Sequence, residues 1–201
     1  MLITPEITTC PHCATKHRYY QAMSGNTIGA TFYSDGFVQG SMYPDFKVFG
    51  KCTSCHKVFK LEEPNSDENT DFDDLPDLQQ PELYDYVKFL NSTEELSAEE
   101  EEYIRTKIWW LFNDRVRMNK PLFPENSDKA IWKQNILILI SMIHTNDPES
   151  LLKKAELVRH LGQFRHCRSL LKSVKQEEYQ KVKRQMLRKC MQRQRKVFVI
   201  E

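Results

Sequence analysis

Four of the six cysteines in the 201 residues fall into two identical spacings. Cys10 and Cys13 enclose Pro11 and His12; Cys52 and Cys55 enclose Thr53 and Ser54. A Cys-x-x-Cys turn presents two thiolates from one short loop, and two such turns supply the four soft donors that a tetrahedral zinc ion takes. Four sulfurs leave no coordination position open for a substrate or a water. The chemistry expected of Cys10, Cys13, Cys52 and Cys55 is therefore a structural zinc site.

Rival chemistries at the same residues are weaker. Cys52, Cys55 and His56 match the Cys-x-x-Cys-His pattern of c-type haem attachment. That needs export, and the first residues lack the basic and apolar regions of a secretory signal. The same observation places the chain in a reducing cytoplasm, where disulfides are rare. A redox Cys-x-x-Cys needs one activated pair at a helix start, not two pairs. With four sulfurs present, His12, His17 and His56 read as surface histidines or as supports behind the ligands. No phosphate-binding loop, dinucleotide fingerprint, nucleophile elbow or His-Glu-x-x-His motif occurs. The most suggestive other polar cluster is Asn113, Asp114 and Arg115, where an Asp114–Arg115 ion pair is expected.

The elements that must position the cysteines are short strands. The spacer between Cys13 and Cys52 holds 38 residues, longer than the roughly 15–20 of a compact site. Residues 30–33 and 36–39 flank Ser34, Asp35 and Gly36 as a hairpin. Residues 45–49 and 57–61 alternate polar and apolar, and Gly50 can supply the tight backbone that the second cysteine turn needs. The expected object is a sheet of three or more strands clipped by the metal. Its small core draws on Tyr19, Tyr20, Phe32, Tyr33, Phe37, Phe46, Phe49 and Phe59. On the four cysteines and this strand pattern, residues 8–63 resemble the zinc-ribbon family, which implies Cys10, Cys13, Cys52 and Cys55 as the zinc ligands. Zinc ribbons serve both in nucleic-acid machinery and as docking modules.

The formal net charge is +1, yet charge is segregated. Residues 62–102 hold 16 acids and one lysine, a balance of −15, and residues 153–201 hold 15 Lys and Arg against 4 Glu, a balance of +11. Residues 64–80 read as an exposed acidic linker, because like charges repel and little apolar surface is available for burial. The C-terminal excess reads as a solvated helix face, with nucleic acid as the rival partner. No apolar run approaches the ~18–20 residues of a membrane span.

Residues 81–201 read as helical. Pro81 suits a first helical position, and Ser97 caps a long helix that opens on four glutamates. Residues 126–128 cap a third helix that runs to about residue 144. Asp147 and Pro148 start the next. Over about residues 148–172, Ala155, Gly162, Phe164 and Cys167 occupy the small, turn, aromatic and small positions of a helical hairpin. This resembles a single tetratricopeptide repeat, in which small residues let two antiparallel helices approach. Cys167 then reads as a small core residue, and His160 and His166 as exposed flanks of the turn. The last helix is expected over about 177–195, with Tyr179, Val182, Met186 and Cys190 as its apolar stripe. The residues after it read as a terminal strand.

The fold class expected is α+β: a zinc ribbon at 1–63, the linker at 64–80, and an all-α tetratricopeptide-like domain at 81–201. The joint arrangement resembles uncharacterised bacterial zinc-ribbon proteins. The function expected is a zinc-stabilised interaction module or adaptor, without catalysis, for a protein or peptide. The alternatives are a nucleic-acid-binding protein that uses the ribbon and the basic last helix, and an enzyme of unrecognised type.

Overall fold

The computed structural model describes residues 2–44, 46–61 and 72–201. Six short strands come first: β1 (Leu2–Thr9), β2 (Lys16–Ser24), β3 (Thr31–Phe32), β4 (Val38–Gln39), β5 (Phe49–Lys51) and β6 (Val58–Lys60). Six α-helices follow among the described residues: α1 (Leu83–Leu90), α2 (Ala98–Arg117), α3 (Asp128–Met142), α4 (Pro148–His160), α5 (Phe164–Ser173) and α6 (Gln180–Met191). The class is α+β. The chain falls into two compact units, one of Met1–Ala30 with Gly40–Glu94, the other of Thr31–Gln39 with Glu95–Glu201.

In the first unit the strands form antiparallel pairs, and each cysteine pair is the tip of one. Thr9 stands opposite Lys16 at the end of the β1–β2 pair, and Lys51 opposite Val58 in the β5–β6 pair. Among the described residues the strands make three separate two-stranded pairs, not the single sheet of three or more that the alternation suggests. Of the alternating stretch 45–49, Asp45 lies outside the described residues, and strand structure begins at Phe49. Residues 76–79 take the part of a joining strand. The Arg18 N–H donates to the Pro76 carbonyl at 3.0 Å and the Leu78 N–H to the Arg18 carbonyl at 2.8 Å, while the Lys51 and Gln79 amides exchange bonds of 2.9 and 3.2 Å. This short run ties β2 to β5 although its composition reads as the end of a linker. Residues 64–71 of that linker lie outside the described residues.

Gly50 serves packing, not turning. A β-carbon there would stand 2.5 Å from a Leu78 methyl, so the missing side chain admits Leu78. Helix α1 belongs to this unit. Its start is set not by Pro81 but by Glu82, whose N–H donates to the Asp85 carboxylate at 2.9 Å. Asp85 also pairs with Lys51 at 2.9 Å, and Phe89 meets Phe49 edge to face. Leu83, Tyr86, Tyr19, Phe49 and Phe59 are buried here, whereas Tyr20 and Phe46 are about half exposed.

In the second unit the hairpin of β3 and β4 is grouped with helices. The Ile200 N–H donates to the Phe32 carbonyl at 2.8 Å and the Ser34 N–H to the Phe198 carbonyl at 2.9 Å, so the apolar C-terminal residues pair with β3. Ser97 caps α2 in a reciprocal box with Glu100, and Asp147 caps α4, with Pro148 at its first position. One core gathers Trp109, Ile136, Leu139 and Leu157; another gathers Ala155, Val158, Cys167, Leu171 and Met186. Gly162, at φ +79°, makes the turn between α4 and α5. Helix α6 stops at Met191, short of residue 195, where Arg193 turns left-handed at φ +53°.

Two buried carboxylates link the hairpin to the helices of this unit. Asp35 is ion-paired with the Arg117 guanidinium and accepts from the Asn113 amide at 2.7 Å, while its carbonyl accepts from the Trp110 indole at 3.0 Å. Burial pushes the Asp35 carboxyl up, against the pull of Arg117. Glu156 accepts from Ser34 at 2.6 Å, from His160 at 3.1 Å and from the Arg159 guanidinium. The other His160 nitrogen accepts from the Trp109 indole at 3.1 Å. His160 is thus buried in a network and not at the exposed flank of the turn. Burial acts to raise the Glu156 carboxyl, but the Arg159 and His160 partners outweigh it and hold the group down at about 2. The Asn113–Arg115 cluster resolves differently from its expectation: Asp114 pairs with Arg117, and Arg115 with Asp128 of α3 at 2.7 Å.

Glu156→Gln leaves Arg159 buried without its counter-charge and is expected to destabilise by about 3–5 kcal/mol in denaturant unfolding. Glu102→Gln, at the partly exposed pair with Lys153, should cost about 1 kcal/mol or less. Because the folded Glu156 titrates below the unfolded group, its contribution is present above pH 4.5 and is lost as pH falls towards about 2. Acid titration of the variant's stability should lack that part of the slope.

Candidate metal centre

The sequences around the two cysteine pairs differ, yet their backbones repeat. The Cys10 N–H donates to the Thr15 carbonyl at 2.9 Å and the Cys52 N–H to the Lys57 carbonyl at 3.0 Å. The Ala14 N–H returns to the Cys10 carbonyl at 2.9 Å and the His56 N–H to the Cys52 carbonyl at 3.1 Å. Ala14 and His56 each adopt φ +58°. A left-handed residue directly after the second cysteine therefore closes each turn, the role that the sequence suggested for Gly50. Non-glycine residues seldom hold this conformation without a surrounding reason. Here it turns the chain back so that the next carbonyl, of Thr15 or Lys57, reaches the N–H of the first cysteine.

The two turns interlock. The Cys10 and Cys55 sulfurs lie 3.7 Å apart and those of Cys13 and Cys52 3.5 Å apart. All four lie within 4.8 Å of one another. A tetrahedral ion with metal–sulfur bonds of about 2.3 Å needs sulfur–sulfur edges of about 3.8 Å. The donor set and its spacing thus fit a thiolate-bound metal ion such as zinc. The Ser54 and Cys55 N–H groups donate to the Cys52 sulfur at 3.3 and 3.4 Å.

The surroundings of the sulfurs are unequal. Cys10 and Cys52 are fully buried beneath Phe59, with Leu61 and Leu78 against them, whereas Cys13 is exposed. Burial pushes the Cys10 thiol up to about 12, while the Thr15 hydroxyl, 3.3 Å from the Cys13 sulfur, and the Thr15 amide hold Cys13 down at about 6. A cation between the sulfurs supplies the charge that four neighbouring thiolates need.

Behind the sulfurs stands His17, whose importance sequence spacing did not reveal. It is wholly buried, and burial lowers its basicity. Its Nδ1 donates to the Thr15 carbonyl at 3.1 Å, and its Nε2 accepts from the Thr53 N–H at 3.1 Å. One imidazole therefore ties the end of the first cysteine turn to the middle of the second. The signal that locates it is the period of two along β2, which sends His17 inward with Tyr19. His12 is half-buried and His56 exposed.

Comparison with protein-family models, with curated proteins and with solved structures finds no match for this chain.

Freshly purified protein should contain one metal ion per chain by elemental analysis. Chelation or acidification should release it, since the sulfurs must be deprotonated to bind. His17→Ala should weaken metal affinity by about ten- to a hundredfold in competition with a chelator dye. His12→Gln should leave it unchanged.

Proposed function

We propose that the chain is a zinc-stabilised protein-interaction module without catalytic activity, and that Cys10, Cys13, Cys52 and Cys55 are the zinc ligands. The observation that carries this reading is the clustering of four sulfurs from the tips of two strand pairs. Zinc held by four thiolates has no open position, so it acts as a cross-link that gives a small strand unit its rigidity. That unit has its own concave surface. A cleft of about 420 Å³ beside the second cysteine turn has Val58 and Phe89 for an apolar floor, with Lys57, Lys88, Asp85 and Glu94 around it. Mixed charges around an apolar floor suit a short segment of a partner protein. The α4–α5 hairpin, with Ala155 and Cys167 buried and Gly162 at its turn, supports a tetratricopeptide-like role for the second unit.

Pull-down from the native host tests the reading. Partners captured by the intact chain should be lost with the Cys52→Ser, Cys55→Ser variant, and also with Lys57→Glu, Lys88→Glu, which should retain the metal. Recovery of the same partners by both variants would remove the strand unit as the recognition surface.

A second reading, nucleic-acid binding, is favoured by one observation. Lys181, Arg184 and Arg188 are exposed on α6, and no ion pair joins them to an acid among the described residues. It predicts retention on a heparin or DNA column with steep salt dependence. Elution in the void at low salt would dismiss it.

A further inference from the structure

One concavity in the second unit is lined by four arginines. It has a volume of about 810 Å³ and lies where the α4–α5 turn, the first turns of α5 and the residues following α6 converge. Arg165 and Arg168 of α5 line it, as do Arg193 and Arg195 beyond α6, and no Asp or Glu contributes to its wall. Its volume falls within the roughly 300–1,000 Å³ of small-molecule sites.

The charge of this wall is unbalanced, and unlike Arg184 and Arg188, also without an ion pair among the described residues, its arginines line one hollow. Arg18, Arg105, Arg115, Arg117 and Arg159 are each ion-paired with a carboxylate. Among the described residues, no ion pair reaches Arg165, Arg168, Arg193 or Arg195. Four guanidinium groups around one hollow repel one another, and a multivalent anion is what offsets that repulsion.

Local backbone geometry brings them there. Gly162 carries no side chain, and the Arg195 guanidinium lies 2.6–2.7 Å from where its β-carbon would stand. Arg193 occupies the left-handed position that ends α6, at φ +53°, where glycine is the usual choice. An arginine there keeps a positive charge at the rim, where glycine would leave none. The start of α5 adds its own field in the same sense: Gln163 makes no side-chain capping bond, and the first turn holds no acid. Phe164 supplies an apolar wall.

We propose that this cavity binds a small polyphosphate-bearing molecule of nucleotide size. A guanidinium engages a phosphate through two parallel hydrogen bonds, so four of them exceed what one phosphate can use and match two or three in series. The concave, ligand-sized shape favours a free small molecule over a nucleic-acid strand, which needs a continuous open track. This site is separate from the thiolate cluster, and the proposal goes beyond the interaction role given above.

Calorimetric titration of the intact chain with orthophosphate, pyrophosphate, triphosphate and adenosine triphosphate tests it. Affinity should rise by about tenfold with each added phosphate from orthophosphate to triphosphate. Arg165→Ala and Arg195→Ala should each weaken triphosphate binding by about tenfold, with Arg195→Lys recovering part of the loss. Lys181→Ala and Arg184→Ala, on α6 outside the cavity wall, should leave it unchanged. All these side chains are exposed except that Arg195 packs on Gly162, so Arg165→Ala serves as the variant least able to disturb folding. The proposal is overturned if triphosphate fails to bind at low salt, or if Lys181→Ala weakens binding as much as Arg165→Ala does. It is also overturned if a single-stranded oligonucleotide binds and triphosphate does not compete with it.

Discussion

The cysteine cluster requires four sulfur atoms from two distant stretches of chain to lie within 4.8 Å of one another. That requirement organises the first unit. It makes each cysteine pair the tip of a strand pair, because only a tight turn points two side chains at one spot. Each turn closes through a left-handed residue directly after the pair, Ala14 in one and His56 in the other. Turns so placed need their strands held in register with each other. Residues 76–79 do this through backbone bonds to β2 and β5, and the His17 ring does it through Thr15 and Thr53. Leu78 then covers the buried sulfurs, and Gly50 lacks a side chain so that Leu78 can reach them.

The second unit solves a different problem. It holds two buried carboxylates, Asp35 and Glu156, and buried charge is costly unless it is paired and hydrogen-bonded. Each therefore has an arginine, Arg117 or Arg159, together with neutral donors. Arg159 also donates to the carbonyls of Gln194 and Lys196, so the same guanidinium that neutralises Glu156 holds the residues after α6. The hairpin tip, the helices and the C-terminal residues of this unit are joined by these polar groups as well as by the apolar clusters around Trp109 and Met186. Such networks demand that every member be in place, which favours one arrangement over near alternatives.

Much of this was legible in the residues. Spacing alone identified the four cysteines, and the caps at Ser97 and Asp147 marked helix starts because side-chain capping acts over three residues. The hairpin around Ser34, Asp35 and Gly36 was equally local. What the residues did not disclose is with which part of the chain each piece packs. Aromatics at 32, 33 and 37 look like ribbon core by composition, yet their hairpin is grouped with helices. Helix α1, of ordinary helical sequence, is grouped with the strands. An acidic stretch that reads as solvated chain ends in a segment with backbone partners on both sides. His160 reads as a surface residue because Glu156, one turn away, gives no sign that the distant Trp109 and Ser34 will close over the pair.

The sequence by itself determined the local conformations and the donor chemistry: strand-pair tips bearing thiolates, capped helices, a glycine turn, and a C-terminal region rich in arginine. These depend on residues within a turn or two of one another, where propensity and capping decide. Tertiary structure alone decided that Cys10 stands against Cys55 and Cys13 against Cys52, that His17 sits behind them, that Asp35 finds Arg117 and that Glu156 meets Ser34. It alone also decided that four other arginines share one hollow. Those outcomes turn on contacts between residues 25 to more than 100 positions apart. There the balance of burial against charge, not local preference, selects the partner.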